Sequence, residues 1–248
     1  MIRAFRPLAL VSCLILMTGR VGAADDDAKA LIDKAIKAHG FEKFLKLQGV
    51  QAKAKGTIYS PIEIPFTQQS SVQYPDKFKE TVEGEANGQK FSVITVYDGK
   101  KGWISINGET KELDDSILAA VKEAVHLMQI TRMAFQKDEK CEFSTLGEMK
   151  VNDHTALGVK ISAKGHKDVN LYFDKETGLM AKAEFRTTDP ASGKEFAEER
   201  IITEYQKVDG VQIPKKVLIN HDGEKFMEVE LIEQKFVEKI DDGEFGKP

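Results

Sequence analysis

Residues 114–135, DDSILAAVKEAVHLMQITRMAF, are the stretch whose reading decides the fold. Ile117, Leu118, Val121, Ala124, Val125, Met128 and Phe135 recur at helical spacing. Asp114, Asp115 and Ser116 stand at the start, where side-chain oxygens and negative charge suit the unsatisfied N–H groups of a first turn. Leu127, Ile130 and Met133 widen the apolar stripe, leaving Lys122, Glu123, His126, Gln129 and Arg132 as the polar side. A helix this apolar needs cover over much of its circumference. The chain on both sides of it reads as strands and tight turns, so the cover is expected to be a sheet. A curved sheet cupping such a helix is either a packed core or a lipid-sized pocket, and both readings stay open at this stage.

Upstream of the helix the hydrophobic period is two. Strands are predicted over 50–59, 66–74, 77–85, 91–97, 103–106 and 109–113. Downstream they are predicted over 142–151, 155–163, 169–173, 179–187, 196–208, 211–220 and 225–237. Asn87-Gly88 and Asn107-Gly108 are strong two-residue hairpin signals; Asn152-Asp153, Asp209-Gly210 and Asp222-Gly223 also turn the chain. The cleanest alternation is 179–187, with Leu179, Ala181, Ala183 and Phe185 inward and Met180, Lys182, Glu184 and Arg186 outward. A first helix is predicted over 28–38, closed by His39-Gly40. The tail from Glu238 is charged and expected to be loosely held. Nearly every connection is a short hairpin, so the topology reads as a long antiparallel meander that curls to protect its edges.

The chain has 248 residues, 41% hydrophobic and 31% charged, with a formal charge of -4. No basic stripe marks a nucleic-acid partner. Lys and Glu alternate along much of the chain, as on a solvated sheet face. Arg3, Arg6, the apolar run from Leu8 to Met17 and the small residues Val21, Gly22 and Ala23 read as a secretory signal peptide, residues 1–23. That run is too short for a bilayer span, so no transmembrane segment is expected in the mature chain. Its removal takes three arginines and leaves a charge of about -7. Residues 24–248 carry no linker or composition break and read as one domain. Leu10-Val11-Ser12-Cys13 also fits a lipoprotein lipidation pattern, the weaker reading because Leu14 to Met17 continues the apolar run. Cys141 is then the only cysteine, without a disulfide partner; between Lys140 and Glu142 and with no evident base it is a half-buried small residue rather than a nucleophile.

No catalytic or metal-binding signature emerges. The five histidines show no metal-ligand spacing, and His154, His166 and His221 fall in predicted turns, where a solvated role is expected. Glu198 and Glu199 are adjacent on one strand and so face opposite ways. There is no phosphate loop and no nucleophile elbow. The expectation is a protein that is not an enzyme and needs no cofactor. What remains is apolar: Phe91, Trp103 and the helix residues Leu118, Val121, Val125 and Met128 would line an interior cleft for acyl chains. The same residues would equally fill a closed core.

Several features together resemble a known family. They are the signal peptide, the first helix, Tyr74-Pro75-Asp76-Lys77-Phe78, the run from Tyr97-Asp98-Gly99 to Gly102-Trp103, a helix in mid-meander, and Asp209-Gly210-Val211-Gln212-Ile213-Pro214. This pattern is similar to the outer-membrane lipoprotein-sorting carriers (LolA/LolB-like) and their relatives. The resemblance implies a half-open antiparallel barrel with helices on its concave side. It implies a secreted or periplasmic protein holding acyl chains of lipids or lipoproteins without a cofactor, or an envelope sensor or protein-interaction module with a filled core. The first strand departs from the carriers, with Ala and Lys where they place aromatics, and their gating arginine has no match here.

Overall fold

The computed structural model describes residues 21–43, 47–59, 62–133, 141–189 and 193–248. The signal-peptide reading falls almost entirely outside them, as do Cys13 and Phe135. The first helix, α1 (Val21–His39), is followed by β1 (Gly49–Ile58), β2 (Ile64–Gln73), β3 (Lys77–Ala86), β4 (Gln89–Tyr97), β5 (Gly102–Ile106) and β6 (Glu109–Glu112). The central helix is α2 (Asp115–Thr131). Then come β7 (Cys141–Val151), β8 (His154–Ala163), β9 (Val169–Asp174), β10 (Met180–Thr188), β11 (Glu195–Val208), β12 (Val211–His221) and β13 (Glu224–Val237). Every predicted strand is present, and the described residues are mainly β with two α-helices.

All thirteen strands form one antiparallel sheet, in the order β6-β5-β4-β3-β2-β1-β13-β12-β11-β10-β9-β8-β7. The first and last strands pair at its centre, Gly49 opposite Val237 and Ile58 opposite Met227. The sheet's two edges are therefore β6 and β7, the strands that flank α2 in sequence, and the sheet is not closed. Hairpin chemistry sets the registers. Asn87-Gly88, Asn107-Gly108, Asp209-Gly210 and Asp222-Gly223 all hold positive φ at both positions, from 49° to 92°. That conformation matches the twist of the flanking strands and is the one these dipeptides favour.

Asp114 caps α2 by accepting from the backbone N–H groups of Ser116 and Ile117 at 3.1 and 3.0 Å. The helix ends at Thr131, short of the predicted 135. Met133 stops it by adopting φ 56°, a conformation unusual for its residue type, and its side chain is fully buried. Two cores occupy the helix side of the sheet. In the larger, α1 residues Ala28, Ile32, Ala35 and Ile36 meet Leu127 and Ile130 of α2, and Met133 just past it, over Val159, Leu171, Phe173, Ala183 and Ile213 of the sheet. In the smaller, Val125 meets Val72, Phe78 and Tyr97. Buried His39 fastens α1: one ring nitrogen lies 2.8 Å from the Ala35 carbonyl, and the other is 3.3 Å from the Tyr205 hydroxyl. Burial lowers its pKa, so the ring is neutral, with Nδ1 donating to Ala35 and Nε2 accepting from the Met180 N–H at 3.4 Å, while the Tyr205 hydroxyl donates to the Met180 carbonyl.

Three expectations need correction. The tail is not loose: Ile240 and Phe245, 6% and 1% exposed, pack on Val96, Ile94 and Trp103 across the outer face. The Ile240 N–H donates to the Gln73 side chain at 2.7 Å, and Lys77 and Lys79 pair with Asp242 and Glu244. Two apolar residues five positions apart anchor a segment whose charges stay in water. Met180 faces inward, not outward, because a bulge between Met180 and Lys182 interrupts the alternation. His166 and His221 are not simply solvated. His166 stacks on His126 of α2 with ring centroids 3.6 Å apart, and His221 stacks on Phe226 at 3.8 Å.

Candidate functional site: the concave face

Strand alternation assigns the two faces. On β1, Val50, Ala52, Ala54 and Gly56 lie on the helix side, while Lys53 and Lys55 point outward to Glu233 and Glu230 at 3.6 and 3.3 Å. The helix side is concave. Glu80 on β3 and Arg200 on β11 are separated by four strands, yet Arg200 lies close enough to lower the Glu80 pKa. Only a strongly curled sheet brings them so near.

One end of this cup is filled by the helices. Leu118, Val121, Val125 and Met128 of α2 pack on Val72, Tyr74, Phe78 and Tyr97. Arg132, just past α2, donates to the Leu47 carbonyl, and its guanidinium lies 4.5 Å above the Tyr74 ring. These contacts tie α2 to the β1–β3 half of the sheet, while Leu127, Ile130 and Met133 tie it to the other half.

The rest of the cup is not filled. The small residues of β1 leave a trough of about 260 Å³ lined by Ala52, Ala54, Gln68, Ser70, Val217, Val229, Leu231 and Gln234. Phe66 and Phe91 lie on the same face of the sheet, and glycines make room for both rings. A Cβ on Gly56 would sit 2.5 Å from the Phe66 ring, and one on Gly84 2.7 Å from the Phe91 ring. Beside α2 a second space of about 670 Å³ opens between Ala119, Ala120, Glu123, His126 and Leu127 of the helix and Val169, Phe185, Thr187 and Arg200 of the sheet. The first combines apolar walls with a few polar groups, the usual make-up of a small-ligand site, while the second is lined largely by polar residues, among them Lys122, Lys167, Arg186 and Glu198.

Polar groups cross the middle of the cup. Gln68 donates to Glu80, whose pKa is raised because desolvation outweighs that bond and the charge of Arg200. Arg200 Nε donates to Glu198 Oε1 at 2.7 Å, and its guanidinium lies 5.2 Å from the Phe185 ring centroid. His221 Nε2 is 3.3 Å from the other Glu198 oxygen. As the alternation requires, Glu199 faces the opposite way, onto Lys182 at 2.8 Å.

The structure thus brings Leu118, Val121, Val125 and Met128 together, and places Phe91 on the same side of the sheet toward its open end. Trp103 is on the other side. It pairs with Val96 across β4 and β5 and lies under the C-terminal tail with Ile240 and Phe245. Its neighbour Gly102 is the residue that faces the helix, close against Leu113 and Leu118. Gln68, Glu80, Glu198 and Arg200 were not singled out from sequence. The signal was present, since Glu80 alternates in step with Phe78 and Val82 on an inward face. Among the described residues no group of three or more His, Cys, Asp or Glu is arranged to hold a metal, and no helix is long and apolar enough to cross a membrane.

The same fold, an open antiparallel sheet curled around two helices, occurs in solved structures named as LolA superfamily and lipoprotein-sorting proteins. A LolA superfamily protein from Nitrosomonas europaea superposes with a TM-score of 0.58 at 13% identity, over 89% of this chain and 97% of that one. A putative outer membrane lipoprotein-sorting protein domain from Vibrio parahaemolyticus gives 0.55 at 12% identity, over 88% and 97%. A DUF1329 family protein from Desulfovibrio piger gives 0.53 at 14%, again over 88% and 97%. At these identities the likeness is one of fold. No protein-family model and no curated protein matches the sequence.

Proposed function

We propose that this chain is a non-enzymatic, secreted or periplasmic protein that binds acyl chains of lipids or lipoproteins in its concave face. Residues 1–23 would be removed on export, and 24–248 would act as one carrier domain. The observation that carries this reading is the trough over Ala52 and Ala54. A sheet built only to enclose its helices would fill that position with large side chains, as cores do. Here β1 presents its smallest residues to the interior while its lysines stay outside.

The driving force would be hydrophobic. Each CH₂ withdrawn from water contributes about 0.8 kcal/mol, so a handful of buried acyl carbons gives useful affinity. The chain would run over Val229, Leu231 and Val217, with Phe91 at the open end. Movement of α2 would expose Leu118, Val121, Val125 and Met128 to a longer or second chain. Trp103 has no part in this scheme because it lies on the outer face. The alternative, a sensor module with a filled interior, is disfavoured by the two open spaces.

Native mass spectrometry of the protein purified from its host envelope tests the reading, together with titration by a fluorescent acyl probe. Co-purifying lipid, and probe binding competed by unlabelled acyl compounds, are the expected results. An empty protein that does not take up the probe overturns it.

A further inference from the structure

We infer that a split in the sheet between β12 and β13 is the portal through which a single slender apolar chain enters the trough, with α2 left in place. This rests on the acyl-binding reading and adds its route. The two strands pair only from His221 opposite Glu224 to Lys216 opposite Glu230. Beyond that level, residues 211–215 of β12 are held by β11, with Pro214 opposite Tyr205, and residues 231–237 of β13 are held by β1. Among the described residues no backbone pairing joins these two lengths to each other. The divergence has a local cause. The β11–β12 register shifts on both sides of Glu204, passing over Lys215, and the β1–β13 register shifts between Lys53 and Ala54, passing over Ile232. Both bulges fall at the level where pairing stops, and a bulge bends its strand and increases its twist. Pro214 has no N–H to give a ladder, a residue suited to an edge or a bulge, so β12 behaves there as an edge strand.

The trough reaches this split. Pro214 and Lys215 line it from one lip, and Leu231 and Gln234 from the other, beside Ala52 and Ala54. Ile232 stands between Leu231, which lines the trough, and Glu233, which faces outward to Lys53. It is 58% exposed, more than any other large apolar side chain among the described residues. At that place it offers a chain leaving water its first apolar contact. The far end of the split is closed, because Val211, Ile213 and Phe236 pack in the larger core with Phe41, just past α1. The opening is therefore bounded at both ends, a shape that admits one chain at a time. Entry past α2 would instead have to part Val125, Leu127 and Ile130, all buried, from the sheet. Entry at the split breaks no strand pairing.

Two measurements test this. In residue-resolved amide exchange of the ligand-free protein, the N–H groups of residues 231–235 that turn away from β1 should exchange at least about a hundredfold faster than those of 227–230. Uniform protection along β13 overturns the split, whatever the ligand. Stopped-flow mixing with an uncharged fluorescent acyl probe then follows the exported protein carrying Cys141→Ser and a bulky maleimide on the thiol introduced by Ile232→Cys. Ile232 is exposed, so the fold should hold. Uptake and release should both slow by about tenfold or more with Kd nearly unchanged, as a raised barrier requires. The same label on Lys122→Cys, exposed on α2, should leave both rates as they were. Unslowed rates with the label at 232, or equal slowing with it at 122, overturn the portal and leave acyl binding standing. If the unlabelled protein does not take up the probe, the acyl reading and the portal fall together.

Discussion

Replacing Ala52 by Phe should close the trough proposed to hold acyl chains. Ala52 lies on the helix side of β1, opposite Ser70 of β2 and Gln234 of β13, so an aromatic ring there stands in the middle of the 260 Å³ space. Aromatic residues suit a pleated, half-buried surface, so the strand should tolerate the change. If the ring displaces three methylenes of a bound chain, the loss is about 2.4 kcal/mol at roughly 0.8 kcal/mol each, or about fiftyfold in Kd. Isothermal titration with a monoacylglycerol, beside a thermal melt to confirm folding, measures it. Lys53→Phe is the control. It adds the same ring one residue away on the outer face, where Lys53 contributes only an exposed pair with Glu233, and should leave affinity unchanged. Equal affinity in Ala52→Phe and the natural protein would refute the argument that the small residues of β1 exist to leave ligand space. Equal weakening in both variants would refute it as well.

Phe245→Ala should destabilise the fold by about 3–5 kcal/mol, since the ring is 1% exposed and seals the outer core. Because Trp103, the only tryptophan, packs against the same cluster as that ring, its emission should shift to the red when the tail lets go; an unshifted spectrum would contradict the strap. Neutral His39 makes the protein acid-sensitive. Its folded pKa is lowered, so the unfolded chain binds more protons below about pH 6.5 and stability should fall as pH drops through that window. His39→Gln should flatten this slope in denaturant titrations at a series of pH values. Glu80 works in the opposite sense: its folded pKa is raised, so its contribution falls as pH climbs above about 4.3 toward that raised value, and Glu80→Gln should remove this loss. Arg132→Ala leaves the Leu47 carbonyl without its guanidinium donor and should cost about 1–3 kcal/mol, with faster amide exchange at the end of α2.

Local chemistry was legible to an unusual degree. Period-two alternation located each of the thirteen strands, and Asn-Gly and Asp-Gly pairs located their turns, because a hairpin's register depends on two residues with positive φ. The capped start of α2 was legible for the same reason: Asp114 bonds within three residues of itself. Sequence reading erred where distant segments decide. Nothing near Glu238 indicates that Ile240 and Phe245 will meet Val96 and Trp103. The inward turn of Met180 follows from a bulge in its pairing with β9, and Trp103 was assigned to the wrong face because aromatic character does not say which side of a sheet is covered.

The sequence by itself determined the element types, their order and the inward set on most strands, since these depend on side-chain period and on dihedral preferences of neighbouring residues. Only the tertiary structure decided that β1 pairs with β13. That one pairing places the break in the meander at α2, makes β6 and β7 the edges, and leaves the central helix to connect one edge to the other. It also decided that Ala52 and Ala54 have open space opposite them while Val125 and Ile130 do not. Vacancy is a property of what the rest of the chain leaves uncovered, and no short-range rule encodes it.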